Sequence, residues 1–215
     1  MNTKKLLAEF IGTFFLILFF VMIIVSGKAA GFEGLAIGAI LITMVYTNNA
    51  ISGAHFNPAV TIAAFVRGLM TVNEMVAYLA TQIVAAVFAS FTAKSILQGI
   101  KHESINLPLS IDIIPALLAE FFGTFALVYV ILNVATSKRN QGNSYFGVAI
   151  GLTVMGTMYA LGPASGGMFN PAITIGSCLA EIQTWDLAWV YFVGQILGAI
   201  LATIAFKFME NELAE

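Results

Sequence analysis

The chain has 215 residues, of which 60% are apolar and only 9% are charged, and its formal net charge is −2. A soluble domain averages about 25% charged residues, so this composition indicates a membrane protein. No basic cluster supports nucleic-acid binding. The single Cys178 excludes an internal disulfide framework and is too little for a metal cluster, so no metal and no cofactor are expected.

Six apolar windows are long enough to cross a bilayer, since a spanning helix needs about 20 largely apolar residues. In chain order they are 6–26, 34–51, 73–97, 113–136, 144–162 and 185–208. The first window superficially resembles a signal peptide. Its apolar run is too long for one and contains Glu9, so we interpret it as the first membrane span.

Two shorter apolar runs, 57–67 and 170–180, lie between spans. At 1.5 Å per residue, each covers only about half of a ~30 Å hydrocarbon core, which predicts half-helices that enter from the surface. They open with the same tripeptide, Asn57-Pro58-Ala59 in the first and Asn170-Pro171-Ala172 in the second.

The chain consists of two copies of one unit, residues 1–97 and 113–208, joined by a loop at 98–112 within a single membrane domain. Most matched positions are 113 residues apart, while the first spans match at 111. The matched pairs include Tyr46 with Tyr159, Tyr78 with Tyr191, Gln82 with Gln195, and Glu9 with Glu120. Because each copy has three spans, the second is inverted and the two half-helices meet near the midplane from opposite faces.

Basic residues and glycines add two expectations about how the spans are arranged. Lys4, Lys5, Arg67, Lys138, Arg139 and Lys207 fall on one side, and Lys28, Lys94 and Lys101 on the other. This bias predicts an integral protein of the cell membrane with both termini cytoplasmic. Small residues that allow close helix approach are Gly12, Gly38, Gly123, Gly151, Gly194 and Gly198.

The asparagines suit the start of a helix, because an Asn side chain accepts a backbone N–H and Pro at the next position loses no needed donor. The backbone before each must be irregular, which at membrane depth requires protein or water around it. Its carbonyls, from Gly53, Ala54, His55 and Gly166, then form a ladder of acceptors. Two helix N-termini of about +0.5 charge facing one another resist cations, which indicates a channel for neutral solutes. The alternative is that both motifs are ordinary caps of buried helices.

These motifs resemble the aquaporins, members of the major intrinsic protein family. The resemblance covers essentially the whole chain and rests on the paired Asn-Pro-Ala motifs and on the Ala-Glu-Phe-x-Gly-Thr-Phe segments that begin at Ala8 and Ala119. It implies an all-α bundle of six transmembrane helices and two half-helices built as an inverted repeat. It further implies one pore per subunit and a homotetramer in the lipid bilayer.

Glu9 and Glu120 are ionisable groups within spans, for which a functional role is the default interpretation. One hypothesis makes them the carriers of a proton-coupled transporter. The other, which the resemblance favours, makes them structural acceptors for the N–H groups of the loops. His55 precedes the first motif, and a pH-sensing role for it is a further alternative. Tyr46, Tyr159, Trp185 and Trp189 are expected to pack or to lie at the interface.

The family usually has Arg directly after the second Asn-Pro-Ala, where this chain has Ile173. The resemblance assigns the other constriction positions to Ile37, Met158 and Gly167. The selectivity filter is then uncharged and mostly apolar, which removes a positive barrier but favours dewetting, and Met158 is flexible enough to occlude it. A lysine such as Lys101 folding into the mouth is a further alternative.

The sequence therefore predicts a passive channel, not an enzyme, for water and small neutral solutes, with ions excluded at the centre. Some plant vacuolar relatives carry Val in place of that Arg, and the alternative is therefore a broad channel for urea, ammonia, glycerol or peroxide with poor water permeability. The proton-coupled transporter and a closed, structural membrane protein remain as alternatives.

Overall fold

The computed structural model describes residues 2–99, 107 and 109–211, and most of the predicted loop 98–112, including Lys101, lies outside them. In this part of the chain the regular structure is entirely helical. The helices are α1 (Thr3–Ser26), α2 (Glu33–Ser52), α3 (Pro58–Arg67), α4 (Val72–Leu97), α5 (Ile113–Ile131), α6 (Phe146–Ser165), α7 (Pro171–Leu179) and α8 (Ala188–Asn211). A π-helical turn, Leu132–Thr136, continues α5, and 3₁₀ turns cover Lys138–Asn140 and Trp185–Leu187.

Six of these helices are long and apolar enough to cross a membrane, which confirms the predicted number of spans. The bounds of α6 differ by two to three residues, since it was predicted at 144–162 and is found at Phe146–Ser165. Pro163 lies inside its last turns and does not end it. A proline near the end of a membrane helix is tolerated because surrounding protein satisfies the freed backbone groups.

The helices are arranged as two similar halves, α1–α4 and α5–α8. Within the halves, α1 packs against α4 and α5 packs against α8. Between the halves, α2 packs against α6. The two half-helices also cross this boundary, since α3 packs more extensively against α8 than against α4, and α7 more extensively against α4 than against α8. The halves are therefore interlocked through their short helices.

Close helix approach occurs where the sequence predicts it. A Cβ atom at Gly38 would lie 2.7 Å from the carbonyl oxygen of Gly151, and one at Gly151 would lie 2.6 Å from that of Gly38. Cβ atoms at Gly194 and Gly198 would likewise collide with backbone of α5. Those at Gly12 and Gly123 would collide with aromatic rings in the loops before the half-helices. At all six glycines, therefore, any side chain would collide with a neighbouring backbone or aromatic ring.

The outer surface of the bundle carries large apolar side chains, such as Phe88 and Phe91 on α4, each 59% exposed. An apolar belt of this kind fits a lipid environment and would be costly in water. Tyr46 and Tyr159, both exposed, bridge the halves as Tyr46 Oη donates to the carbonyl of Ser144 at 2.7 Å and Tyr159 Oη accepts the Leu35 N–H at 3.3 Å.

Candidate functional site

Each half-helix begins at its motif asparagine. The side-chain oxygen of Asn57 accepts the Ala59 N–H at 2.8 Å, and that of Asn170 accepts the Ala172 N–H at 2.9 Å. Pro58 and Pro171 occupy the first turn, where no amide donor is needed. Both asparagines are therefore N-caps.

The backbone that leads into each cap is unusual. Ala54, Phe56 and Phe169 have positive φ angles of 51°, 49° and 48° although they are not glycines, and Gly53, Gly166 and Gly167 are also left-handed. Such conformations persist only where the surrounding structure holds them, and they cluster at functional sites. Their effect is to keep the chain irregular at membrane depth, so that its carbonyls are not used by a helix.

The two half-helices meet at their N-termini. The Asn57 amide nitrogen donates to the carbonyl of Phe169 at 3.0 Å, and the Asn170 amide nitrogen donates to the carbonyl of Phe56 at 2.9 Å. An amide NH₂ has two hydrogens, so each asparagine has a second donor in addition to this bond. Both positive helix ends thus lie at the same place in the bundle, and both asparagines are buried.

The fully buried Glu9 carboxylate holds the loop before α3. One oxygen accepts the Ser52 hydroxyl at 2.7 Å and the His55 N–H at 2.9 Å. The other accepts the Phe56 N–H at 2.8 Å and the Gln82 side-chain amide at 2.9 Å. Four donors therefore converge on one buried carboxylate, the arrangement that a buried charge requires.

Glu120 does the same for the loop before α7. One oxygen accepts the Ser165 hydroxyl at 2.7 Å and the Met168 N–H at 2.9 Å. The other accepts the Phe169 N–H and the Gln195 side-chain amide, both at 2.7 Å. Each carboxylate therefore bonds the loop that precedes one of the half-helices.

A second group of polar residues supports these loops, although no role was predicted for them from the sequence. Tyr78 Oη donates to the carbonyl of Ser52 at 2.8 Å, and Tyr191 Oη donates to that of Ser165 at 2.7 Å. The recurrence of Tyr78 and Gln82 at Tyr191 and Gln195 within apolar spans was the available signal. A buried polar side chain in a span needs a fixed partner, and a matched pair indicates the same partner in each half.

A narrow cavity of about 40 Å³ lies at the meeting point of the half-helices. A cavity needs about 10–15 Å³ on this measure to hold a water, so this one is large enough for water to enter. Its polar side chains among the described residues are Asn49, His55, Asn57 and Asn170, and no Lys or Arg in that part of the chain lines it. Of these, Asn49 was not predicted, because it lies outside both motifs.

Three of the four predicted filter residues, Ile37, Gly167 and Ile173, line this cavity. Met158 instead borders a separate outer cavity of about 380 Å³ together with Gly166 and Tyr159. Its side chain packs on Gly167, because a Cβ atom there would lie 3.2 Å from Met158 Cγ. Pro58, Ala59, Pro171 and Ala172 are buried behind the wall of the central cavity and do not line it.

The central cavity adjoins a second space at the end of the bundle where the N-terminus lies. That space, of about 390 Å³, shares Asn49, Gly53 and His55 with the central cavity and is also bordered by Lys5. His55 Nδ1 lies 3.1 Å from Thr61 Oγ1. At the opposite end, Leu109 borders the outer cavity, and its N–H donates to the carbonyl of Ile182 at 2.9 Å.

A membrane-spanning bundle in which two half-helices meet at a mostly apolar cavity with a few polar groups has the architecture of a channel protein. The sequence profile of the family described as Major intrinsic protein matches residues 1–206. The chain belongs to the major intrinsic protein family. Members of this family are passive channels and not enzymes, so the chain is an integral membrane channel for water and small solutes.

Individual aquaporins are similar in sequence to this chain over nearly its full length. It is 35% identical to Aquaporin NIP1-1 of Zea mays, covering 95% of this chain and 74% of that protein. It is 32% identical to Aquaporin AqpM of Methanothermobacter thermautotrophicus, covering 98% of both. The X-ray structure of the aquaglyceroporin from Plasmodium falciparum superposes with a TM-score of 0.85 at 20% identity, covering 99% of this chain and 98% of that one, which establishes a common fold.

Proposed function

We propose that the chain is a passive pore for water and small neutral solutes that excludes ions where the two half-helices meet. The observation that carries this proposal lies at the wall of the central cavity, where the amide of Asn57 and that of Asn170 each donate to a backbone carbonyl in the loop of the opposite half. Two helix N-termini there oppose a cation, and the remaining amide hydrogens are donors for the oxygen of a passing solute.

We further propose that the selectivity filter consists of Ile37, Gly167 and Ile173 at the central cavity and of Met158, which packs on Gly167 at the border of the outer cavity. This filter is proposed to admit a broad range of small solutes. With Ile173 in place of Arg, the filter has no cation, and the backbone carbonyls act only as acceptors. A solute that donates hydrogen bonds, such as urea or ammonia, satisfies such acceptors. Water passage is disfavoured because the apolar side chains of Ile37, Met158 and Ile173 favour dewetting of the constriction. Poor water permeability relative to these solutes is the expected consequence.

The alternative of a proton-coupled transporter has less support. A carrier must exchange protons with the passage during its cycle, whereas the observed carboxylate oxygens of Glu9 and Glu120 are each occupied by two protein donors. Releasing either carboxylate would leave several buried donors unpaired and would free the loop that it holds.

Stopped-flow light scattering on proteoliposomes tests the proposal directly, with water, urea, ammonia, glycerol and peroxide measured on one preparation. We expect at least urea or ammonia to permeate faster than through protein-free lipid, and the flux of urea, which does not titrate, to be independent of an imposed pH gradient. Permeation of none of these solutes would overturn the channel assignment. Uphill transport of urea or glycerol, neither of which titrates, driven by the gradient would favour the transporter.

We also propose that both termini face the cytoplasm of the cell in which the protein is made and that four copies assemble into one particle. The bias of Lys and Arg toward one face supports the orientation. The exposed apolar side chains of the bundle offer surface for both lipid and neighbouring copies. Cysteine labelling at the termini and mass measurement in detergent by light scattering test these two points.

A further inference from the structure

Two lysines occur in the register of the internal repeat, Lys94 in α4 and Lys207 in α8, 113 residues apart. Lys94 Nζ donates to the carbonyl of Leu179, the last residue of α7, at 3.4 Å. Lys207 Nζ donates to the carbonyl of Val66, the penultimate residue of α3, also at 3.4 Å. The two acceptors are themselves 113 residues apart, so each lysine reaches the half-helix of the other half.

The position of each ammonium group has an electrostatic meaning. The last four carbonyls of a helix lack intrahelical partners and carry about −0.5 charge, so a cation at this end is stabilising. Each half-helix has its N-terminus at the centre and its C-terminus near a surface of the bundle. A cation at that C-terminus stabilises the half-helix, because it compensates the negative end of the helix dipole. The lysines provide this at both faces of the bundle.

Additional ionic contacts accompany both lysines. Lys94 Nζ also lies 2.7 Å from a carboxylate oxygen of Glu181, two residues after the end of α7. At the other face Arg67, the last residue of α3, pairs with Glu210 of α8, and its guanidinium lies 5.1 Å from the centre of the Phe206 ring. Each half-helix end is therefore joined to the long helix of the opposite half by a lysine and an ion pair.

The backbone after α7 fits this interpretation. Glu181 has a positive φ of 62°, whereas the matching position in the first half is Gly68, with a φ of 88°. Helices often end on a left-handed residue, and Gly adopts that conformation far more readily than other residues. A glutamate there presents its carboxylate to Lys94, a contact that glycine could not make.

We propose that Lys94 and Lys207 are positioning residues that hold the outer end of each half-helix across the boundary between the halves. The asparagine amides cross the same boundary at the inner ends, where Asn57 and Asn170 bond the loops of the opposite half. Each half-helix is thus held at both ends by the other half, and this keeps the two N-termini opposed at the narrow centre. This inference rests on the proposed ion-excluding pore.

Hydrogen–deuterium exchange tests the crossed pattern of these contacts without relying on flux. We expect Lys94→Met to accelerate exchange in residues 177–182 and to leave 64–69 unchanged, and Lys207→Met to do the reverse. An acceleration of about two- to fivefold corresponds to an ordinary interaction with a helix C-terminus. Lys→Arg variants should retain most of the protection, because arginine also donates to carbonyls, and Lys4→Met serves as the exposed-lysine control. Acceleration within the lysine's own half, or none at all, would overturn the proposal.

Flux measurements test whether these contacts matter to the pore. In proteoliposomes the Lys94→Met/Lys207→Met double variant should raise proton leak relative to solute permeability by about two- to fivefold, from the same range of interaction strengths. The single variants allow the test if the double variant does not fold. An unchanged ratio, or an equal rise with Lys4→Met, would refute the positioning role. A parent protein that conducts no solute would instead refute the proposed channel, and the exchange experiment would still decide the crossed contacts.

Discussion

Replacing Glu120 by glutamine tests the role of the buried carboxylates most directly. The glutamine carbonyl can still accept the Ser165 hydroxyl and the Met168 N–H, which now lie at 2.7 and 2.9 Å. Its NH₂ group would face two donors, the Phe169 N–H and the Gln195 amide, both now at 2.7 Å from the other oxygen. Gln195 can rotate its amide by half a turn and present its oxygen. The Phe169 N–H has no such freedom.

One buried backbone donor is therefore left unpaired, which costs about 1–3 kcal/mol. For a chain of this size that corresponds to a loss of roughly 2–12 °C in Tm. Thermal unfolding in detergent, followed by circular dichroism, measures this shift, and Glu33→Gln provides a partly exposed carboxylate control. We expect Glu9→Gln to behave alike, because its four bonds match.

A Glu120→Gln protein with unchanged Tm and abolished gradient-driven transport would refute this reasoning and would assign the carboxylate to a proton-carrying role. Unchanged Tm with normal flux would equally contradict a structural role. The expected combination is a lower Tm, together with reduced passive flux in the surviving folded protein, because the loop that carries the Phe169 carbonyl is no longer fixed.

The remaining predictions concern the filter, the packing behind it and a surface ion pair. Ile173→Arg should slow solutes bulkier than water in stopped-flow assays, and an unchanged solute profile would show that position 173 does not line the constriction. Gly123→Ala should cost about 1–3 kcal/mol because its methyl group meets an aromatic ring; Gly156→Ala, where nothing lies within 4 Å, should be neutral or stabilising, and equal Tm losses would contradict this. The hydrogen bond and charge of Lys94 hold the pKa of Glu181 below its usual value. The contribution of the Lys94–Glu181 contact to stability is therefore complete above the unfolded-state pKa of Glu181 and is lost as the pH falls through its folded-state pKa. This loss should appear as faster hydrogen exchange in residues 177–182 after correction for intrinsic rates. Glu181→Gln should remove this pH dependence.

The number of spans and the two half-helices could be predicted because both depend on local properties of the chain. A run of 20 apolar residues can cross a bilayer only as a helix, and a run of half that length between such spans cannot cross it. Asn followed by Pro similarly specifies a helix start through one side-chain bond and one missing donor. The end of α6 was missed because Pro163 is a local stop signal whose effect the surrounding bundle overrides.

The hydrogen bonds that hold the loops of the site in place could not be predicted from the sequence. The pairs Tyr78 with Tyr191 and Gln82 with Gln195 were visible, but their bonds join residues that are remote in the chain, such as Gln195 Nε2 and Glu120. The separation of Met158 from the three other predicted filter residues is likewise a matter of which cavity each side chain reaches. Such placement follows from the packing of whole helices.

The sequence by itself determined a duplicated membrane protein with two inward-facing helix starts, because hydropathy, capping and repetition act within short segments. Only the tertiary structure decided that the halves exchange contacts at both ends of each half-helix, through Asn57 and Asn170 at the centre and Lys94 and Lys207 at the surfaces. The physical reason is that the sequence identifies an amide or ammonium group as a hydrogen-bond donor but does not identify the carbonyl to which it donates. Its partner is fixed when two interlocked bundles bring distant carbonyls within reach.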